Sequence, residues 1–330
     1  MKTHAVRIHR HGGPEVLDYE EVDVPAPGSG EVLIRQTAIG LNYADIYQRE
    51  GEHGPHDAAP FPIVLGAVGA GRVEAVGPDV PAFAPGDRVA AISPGAYTGL
   101  HRVPADRVLR LPDDFGEADA AGSLLRGLTA EYLLRRLGRV SPGDTVLVHA
   151  AAGGMGLILG PWGRALGARM IGTVGSAAKV PVAAGHGYDA VIDTAREDFV
   201  ARCQELTGGA GIDLVLDGIG KAAFLPSLDC VRPMGMVVSY GTSSGNVGAF
   251  DLQLLHRKSI IVTRPTLRTW IARRADYEAA ADAFFAAAAA GVVPTRPERT
   301  YPLSAIRQAH RDLESRATTG SAILEPDARA

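Results

Sequence analysis

The segment with the most specific chemistry is a run of small residues, Ala150–Gly156, between two apolar stretches. It follows the strand-like residues Val146–Val148 and precedes a helix-like segment and a second apolar run at 170–174. In the pattern G-x-G-x-x-G, Ala151 stands at the first glycine position. Such a turn brings backbone N–H groups and a helix N-terminus close to a pyrophosphate. The strand–helix–strand spacing of about 30 residues favours a dinucleotide site over a turn without a ligand. The residues assigned to it are Gly153, Gly154, Met155 and Gly156.

The end of the second strand indicates which dinucleotide is bound. NAD sites usually carry an Asp or Glu there, about 20 residues after the glycines, which binds the ribose 2′-hydroxyl. This sequence has Gly175, Ser176 and Lys179 instead, with no acid among residues 175–179. Ser176 can donate a hydrogen bond to a 2′-phosphate and Lys179 can supply positive charge, so the corner favours NADPH over NADH. A solvated lysine is the alternative for Lys179.

Composition restricts the class of protein. The chain has 330 residues, of which 46% are hydrophobic, and this is more typical of two domains than of one. A net charge of −4 without a basic run argues against a nucleic-acid partner. Two cysteines, Cys203 and Cys230, are too few for a disulfide framework and are interpreted as buried thiols. The longest apolar run, Ala283–Val293, is shorter than the ~18 residues of a membrane span, and the N-terminus does not resemble a signal peptide. We therefore expect a cytoplasmic protein without a membrane partner.

Two patterns of secondary structure would position these residues. Short strand candidates separated by proline and glycine turns fill residues 1 to about 120, which predicts a small barrel. From Thr145 to Thr263, strands alternate with helices, which predicts a parallel sheet with right-handed crossovers. A terminal strand at Ala322–Glu325 is expected to return to the first domain. The predicted fold class is α/β.

Sequence motifs spread over most of the chain match one enzyme family. They are HGGPEVL at 11–17, GLNYAD at 40–45, PGDRV at 85–89, GLTA at 127–130, the turn at 149–156, SLDC at 227–230, TRP at 263–265 and AHRDLESR at 309–316. Together they resemble the medium-chain dehydrogenase/reductases, and within them the zinc-independent NADPH:quinone oxidoreductases of the zeta-crystallin group. The resemblance implies a GroES-like β-barrel catalytic domain at 1–123, completed by 267–330, and a Rossmann NADPH-binding domain at 124–266. It also implies a homodimer, for which the strand at Ser259–Thr263 could supply a sheet edge.

The same resemblance implies that the protein has no zinc site. Zinc-dependent relatives have a Cys where this chain has Asn42 and a His where it has Ala67, and their block of structural-zinc cysteines has no counterpart here. Zinc requires three or four N, S or O ligands at fixed spacing. We therefore expect no metal, and hydride delivery to an electron-poor substrate such as a quinone or another conjugated carbonyl.

The resemblance places Asn42, Asp45 and Tyr47 near the nicotinamide end of the cleft. Tyr47 could donate a proton or a hydrogen bond to the carbonyl oxygen, or it could only line the cleft. Asp45 could orient Asn42 or Tyr47, or it could cap the turn that follows. Arg264 resembles the family's cleft arginine, which could hold a substrate oxygen; an interdomain salt bridge is its alternative.

The resemblance assigns further cofactor contacts. Thr129 would pack against the nicotinamide, and Gly218, Tyr240 and Gly241 end later strands, where ligands of open α/β sheets bind. Thr194 departs from the family because similar chains have a Tyr there, near the adenosine phosphate. This departure weakens the expected preference for NADPH.

Three functions are consistent with these observations. The leading one is NADPH-dependent quinone reduction. An enal or enone reductase on the same scaffold is the second, and a panel of quinones and α,β-unsaturated ketones would separate the two. A crystallin-like or RNA-binding role is the third, although the acidic balance of the chain argues against it.

Overall fold

The computed structural model describes residues 1–52, 60–315 and 319–327. The strands are β1 Lys2–Ile8, β2 Asp18–Asp23, β3 Glu31–Leu41, β4 Ile63–Val64, β5 Val68–Val76, β6 Arg88–Ile92, β7 Leu100–Pro104, β8 Val108–Arg110, β9 Thr145–Val148, β10 Arg169–Val174, β11 Ala190–Asp193, β12 Ile212–Asp217, β13 Val231–Ser239, β14 Ile261–Thr263, β15 Arg299–Pro302 and β16 Ala322–Glu325. The α-helices are α1 Tyr43–Glu50, α2 Glu117–Glu131, α3 Gly156–Ala165, α4 Val180–Ala184, α5 Phe199–Leu206, α6 Phe224–Cys230, α7 Gln253–His256, α8 Leu267–Trp270, α9 Arg274–Ala289 and α10 Ile306–Glu314.

The chain divides into two compact units. The first, unit 1, comprises Met1–Leu125 and Thr295–Ala330, and the second, unit 2, comprises Arg126–Pro294. The sequence prediction grouped residues 267–330 with the first domain. In this division residues 267–294 belong to unit 2, while residues 295–330 belong to unit 1.

Unit 1 is built from two sheets. One has the order β2-β1-β4, and the other has the order β15-β16-β3-β5-β6-β8 with β7 also paired to β3. Strand β16 runs antiparallel to β3, with Ile323 opposite Gly40, so the terminal strand joins the first sheet system as predicted. An apolar core of buried side chains, among them Val6, Leu41 and Tyr97, lies beneath β3 and α10. The architecture is the GroES-like fold.

Unit 2 contains a six-stranded sheet in the order β11-β10-β9-β12-β13-β14, and all of its neighbouring strands are parallel. This confirms the parallel sheet predicted from alternating strands and helices. The order is that of a Rossmann fold, and the chain reverses its direction of winding between β9 and β12. Ligands of such sheets bind outside the carboxyl ends of the strands at that switch point.

The local sequence explains two features of unit 2. Strand β9 is central and buried, which suits its continuous apolar run Val146–Val148. After Ser176 the chain forms a 3-10 turn, Ala177–Lys179, which is followed by the five-residue α4 with Pro181 in its first turn. Proline is tolerated there because the first N–H groups of a helix have no intrahelical acceptor.

The two thiols and the helices bear on the remaining sequence expectations. Cys203 and Cys230 are free and buried in the core beneath β12, which confirms their interpretation as buried thiols. Within the described residues, no helix is both long enough and apolar enough to cross a membrane.

Candidate functional site

The predicted cofactor residues around the glycine turn all lie in unit 2. Gly153 and Gly154 occupy the turn between β9 and α3, Met155 is the residue before the helix, and Gly156 is its first residue. A Cβ atom on Gly156 would overlap the carbonyl group of Ala151. The glycine therefore allows the helix to start directly against the end of β9, with its first N–H groups at the sheet's carboxyl edge.

The alanine at the first position of the motif fits because a glycine lies close to it in the neighbouring strand. Ala151 is fully buried, and its methyl group would lie 2.6 Å from a Cβ atom on Gly172 of the neighbouring β10. Because residue 172 has no side chain, the strand can accept the methyl group that departs from the motif. The substitution is thus compensated within the sheet, a relationship that the linear motif does not reveal.

Sequence reasoning missed a buried histidine beside the turn. His149 directly follows β9, and one of its ring nitrogens lies 2.9 Å from the hydroxyl oxygen of Thr173 while the other lies 2.8 Å from that of Ser227. Burial lowers the pKa of His149 to about 4, so the ring is neutral at pH 7. The histidine links β9 to β10 and α6. Its position in the motif at 149–156 was the available signal, but the motif assigns it no role.

Later strands bring three more predicted residues together. The backbone N–H of Tyr240 donates to the carbonyl of Asp217 at 2.8 Å. A Cβ atom on Gly218 would lie 2.9 Å from the Tyr240 hydroxyl oxygen, and one on Gly241 would lie 2.7 Å from the Gly218 carbonyl oxygen. Gly218, Tyr240 and Gly241 therefore form one tightly packed edge at the ends of β12 and β13.

The adenosine corner predicted from the sequence lies at the end of β10. Gly175 is exposed there, and the space where its side chain would be contains no described atom within 4 Å. Ser176 precedes the 3-10 turn that contains Lys179, and both are partly buried. The Thr194 hydroxyl donates to the Val174 carbonyl at 3.1 Å, which puts this departure from the family directly at the same corner.

Arg264 and Thr129 also belong to unit 2. The Arg264 guanidinium donates to the Ser239 carbonyl at 2.7 Å, so it is held against the carboxyl end of β13. Burial raises the pKa of Asp217, at the end of β12, to about 6, and hydrogen bonds from the amides of residues 219 and 220 and the charge of Arg264 oppose the rise. Thr129 lies buried in α2.

The predicted substrate residues Asn42, Asp45 and Tyr47 lie in unit 1, where β3 leads into α1. The Asp45 carboxylate accepts the Asn42 backbone N–H at 2.8 Å, and the Asp45 N–H donates to the Asn42 carbonyl at 3.0 Å. The Asn42 side-chain nitrogen is buried without a hydrogen-bond partner among the described residues. Tyr47, one turn further along α1, is partly buried, and its ring lies 6.2 Å from that of Tyr43.

The zinc-ligand positions of the family do not fit a zinc ion in this chain. Asn42 offers an amide and Ala67 a methyl group, which together cannot form a closed N/S/O ligand set. Within the described ranges, one group of three His or carboxylate side chains lies close enough together to bind a metal: His9, Asp18 and Glu20. It lies on the β1–β2 hairpin, where Glu20 is already paired with Arg7, and it shares no residue with the predicted site.

The residues of unit 2 do fit a dinucleotide. The Ser239 hydroxyl oxygen is buried at the carboxyl end of β13 and has no hydrogen-bond partner among the described residues. The glycine turn, the packed edge formed by Gly218 and Gly241, and the open corner at Gly175 lie along the same strand ends. A polar ligand lying across these ends would complete the hydrogen bonding of Ser239.

Comparisons with known proteins agree with this arrangement. Residues 28–136 match the family described as alcohol dehydrogenase GroES-like domain, and residues 154–286 match the family described as zinc-binding dehydrogenase. The chain is 42% identical over 330 residues to 2-haloacrylate reductase of a Burkholderia species. The aligned region covers 98% of this chain and 99% of that protein. It is 41% identical over 326 residues to quinone oxidoreductase 1 of Escherichia coli K12, with 97% and 99% covered.

A solved structure gives the same relationship. The crystal structure of Escherichia coli quinone oxidoreductase complexed with NADPH superposes with a TM-score of 0.94 at 40% identity, over 98% of this chain and 100% of that chain. Because the match covers nearly the whole chain, it includes both domains. The chain belongs to the medium-chain dehydrogenase/reductase family, in its quinone oxidoreductase subfamily.

Proposed function

We propose that this protein is an NADPH-dependent quinone oxidoreductase that transfers hydride to a quinone without a metal. The observation that carries the proposal is the carboxyl edge of the Rossmann sheet. There the glycine turn after β9 is followed by an adenosine corner at 175–179 that has no carboxylate. The similarity to Escherichia coli quinone oxidoreductase, whose structure was solved in complex with NADPH, supports it.

In this proposal, unit 2 binds NADPH. The first turn of α3 holds the pyrophosphate through backbone N–H groups, and His149 keeps that turn in place through Thr173 and Ser227. Ser176 and Lys179 bind the 2′-phosphate. Gly218, Tyr240 and Gly241 line the strand ends, and Thr129 packs against the nicotinamide. NADPH supplies the hydride when it is bound.

Unit 1 acts on the substrate oxygen. The Asn42 side-chain nitrogen, which has no hydrogen-bond partner among the described residues, donates a hydrogen bond to the carbonyl that gains charge. Tyr47 donates a proton or a hydrogen bond to the same oxygen. Asp45 holds the Asn42 backbone. Arg264 provides a further donor for a substrate oxygen. A quinone accepts hydride without a Lewis acid because its ring is already electron-poor.

A second substrate class has a specific observation in its favour. A relative that is 42% identical over nearly the full chain is named 2-haloacrylate reductase, and its substrate has an activated C=C bond. The test measures oxidation of NADPH with 1,4-benzoquinone, 9,10-phenanthrenequinone, 2-chloroacrylate and an enone. Higher kcat/KM for the quinones supports the first function. Higher kcat/KM for 2-chloroacrylate or the enone would transfer the assignment to alkene reduction, and no turnover of any of them would contradict both.

The proposal extends to a cytoplasmic homodimer without a nucleic-acid partner. Strand β14 is the last strand of its sheet, and Ile261 on it is 50% exposed. An exposed apolar edge strand is suited to pairing across a two-fold axis. Light scattering should give twice the chain mass of 34.5 kDa, and a value near 34.5 kDa would contradict the dimer.

A further inference from the structure

A hydrogen-bonded chain of buried polar side chains in unit 1 runs from Arg49, near the end of α1, through His310 of α10 to Asp45, near the start of α1. Arg49, Tyr97, Asp45 and His310 are each fully buried. Arg49 Nη1 lies 3.0 Å from His310 Nδ1, His310 Nε2 lies 3.2 Å from the Tyr97 hydroxyl oxygen, and that hydroxyl lies 2.9 Å from Asp45 Oδ2. His310 belongs to the motif at 309–316, to which the proposed reaction gives no role.

The direction of every hydrogen bond in this chain is fixed by its first member. A guanidinium can only donate, so His310 Nδ1 must accept. Burial, together with the charge of Arg49, lowers the pKa of His310 to about 3, so the ring is neutral and its one proton lies on Nε2. That proton is donated to Tyr97, whose own hydroxyl proton then points to Asp45 Oδ2.

Arg49, at the end of the hydrogen-bonded chain opposite Asp45, is held by further partners. Arg49 donates through Nε to the Gly12 carbonyl at 2.9 Å, and Nη2 pairs with Glu50 at 2.6 Å and with Glu314. Neither carboxylate is fully buried, so the buried cation is neutralised toward the surface and not by Asp45. A buried charge without such partners would be strongly unfavourable.

We propose that Arg49, His310 and Tyr97 are positioning residues that orient the Asp45 carboxylate and, through it, the substrate-facing amide of Asn42. This role rests on the proposed function, because Asn42 contacts substrate only in that reaction. Asp45 Oδ2 receives both the Tyr97 hydroxyl and the Asn42 backbone N–H, so a shift of the carboxylate moves the residue that carries the amide. A displacement of about 1 Å in such a group can lower a rate by as much as ~10²-fold.

The groups that face Asp45 define a pH readout. They are Tyr97 from the segment before β7, the backbone amides of Asn42 and Ala67, and, through Tyr97, His310 from α10 and Arg49 from α1 itself. Burial raises the pKa of Asp45 to about 7, while the hydrogen bonds from Asn42, Tyr97 and Ala67 oppose that rise. Loss of the Tyr97 hydroxyl should therefore raise this pKa further and move the acidic limb of the kcat profile to higher pH.

The test compares Tyr97→Phe with the control Tyr301→Phe. The control removes a tyrosine–aspartate hydrogen bond of 2.8 Å, to Asp312, that lies in the same unit but does not belong to the hydrogen-bonded chain. Tyr97→Phe should lower kcat about tenfold or more, leave KM for NADPH within about twofold, and shift the acidic limb upward. Tyr301→Phe should change none of these. Equal effects of the two substitutions, or an unchanged pH profile in Tyr97→Phe, would overturn the proposal.

Two further measurements keep the proposal testable if Tyr97→Phe does not fold or the wild type does not turn over. His310→Gln retains an N–H donor toward Tyr97 and should keep more activity than His310→Leu; equal losses would contradict the directional chain. In the wild type, ¹⁵N NMR should show His310 neutral with its proton on Nε2 between pH 6 and 8, whatever the substrate. A proton on Nδ1 would overturn the chain independently of the proposed function.

Discussion

Ala151, in the turn after β9, and Gly172 of β10 lie so close together that a Cβ atom on residue 172 would be 2.6 Å from the Ala151 methyl group. The alanine that departs from the dinucleotide motif is thus paired with a glycine that makes room for it. The methyl group at residue 151 fits because residue 172, on the neighbouring strand, has no side chain. The remaining glycines of the site can therefore be tested individually.

Gly156→Ala and Gly175→Ala should separate folding from cofactor binding. The new methyl group at 156 overlaps the Ala151 backbone and should lower the free energy of unfolding by about 1–3 kcal/mol together with NADPH affinity. At 175 no described atom lies within 4 Å of the new methyl group, so stability should be retained while NADPH affinity falls. Calorimetry and fluorescence titration measure both. Unchanged NADPH affinity in Gly175→Ala would remove this corner from the site.

Lys179→Ala should reduce the preference for NADPH over NADH. A charge-assisted hydrogen bond to the 2′-phosphate contributes roughly 1.5–3 kcal/mol, which corresponds to a preference of about tenfold to hundredfold. Thr194 at the same corner favours the lower end. The dissociation constants of both cofactors should be compared in wild type, Lys179→Ala and the control Lys2→Ala, whose partner is Glu21 in unit 1. Full preference retained by Lys179→Ala would show that the 2′-phosphate is bound elsewhere.

Tyr47→Phe should lower turnover without weakening NADPH binding, because its hydroxyl acts only on the substrate oxygen. Loss of a general acid typically costs on the order of 10²-fold in rate. Tyr43→Phe on the same helix is the matched control, since its hydroxyl donates to the Leu313 carbonyl at 3.2 Å. The rates of both variants and the wild type are compared by steady-state kinetics with 1,4-benzoquinone. A wild-type rate in Tyr47→Phe would leave the tyrosine only a lining role.

His149→Gln should change how stability depends on pH. The folded pKa of His149, about 4, lies below its ordinary value of 6.5 because the ring is buried. The contribution of the neutral His149 ring to the free energy of unfolding is therefore complete above pH 6.5 and is lost as the pH falls through 4. The stability advantage of wild type over His149→Gln should shrink by about 1.4 kcal/mol per pH unit in that window. Urea unfolding from pH 4.5 to 7.5 measures it, and a constant difference would contradict the buried neutral ring.

Much of the fold could be predicted from local pattern. The alternation of strands and helices after Thr145 predicted the parallel sheet, and the terminal strand rejoins β3 as expected. The candidate site could be proposed from the sequence where its residues are contiguous, as in the turn at 153–156. It was not predictable where contacts join distant segments. The bonds of His149 with Ser227 and of Tyr97 with His310 depend on packing between elements, which no local spacing encodes.

Oxidation of NADPH by 1,4-benzoquinone, measured on enzyme treated with a metal chelator, tests the central claim most directly. Asn42 and Ala67 cannot hold zinc, so the rate should be the same before and after chelation, with less than one zinc per chain. At equal subsaturating concentrations, NADH should be oxidised more slowly than NADPH. One zinc per chain with activity lost on chelation would contradict the account, and so would absence of NADPH oxidation with any quinone.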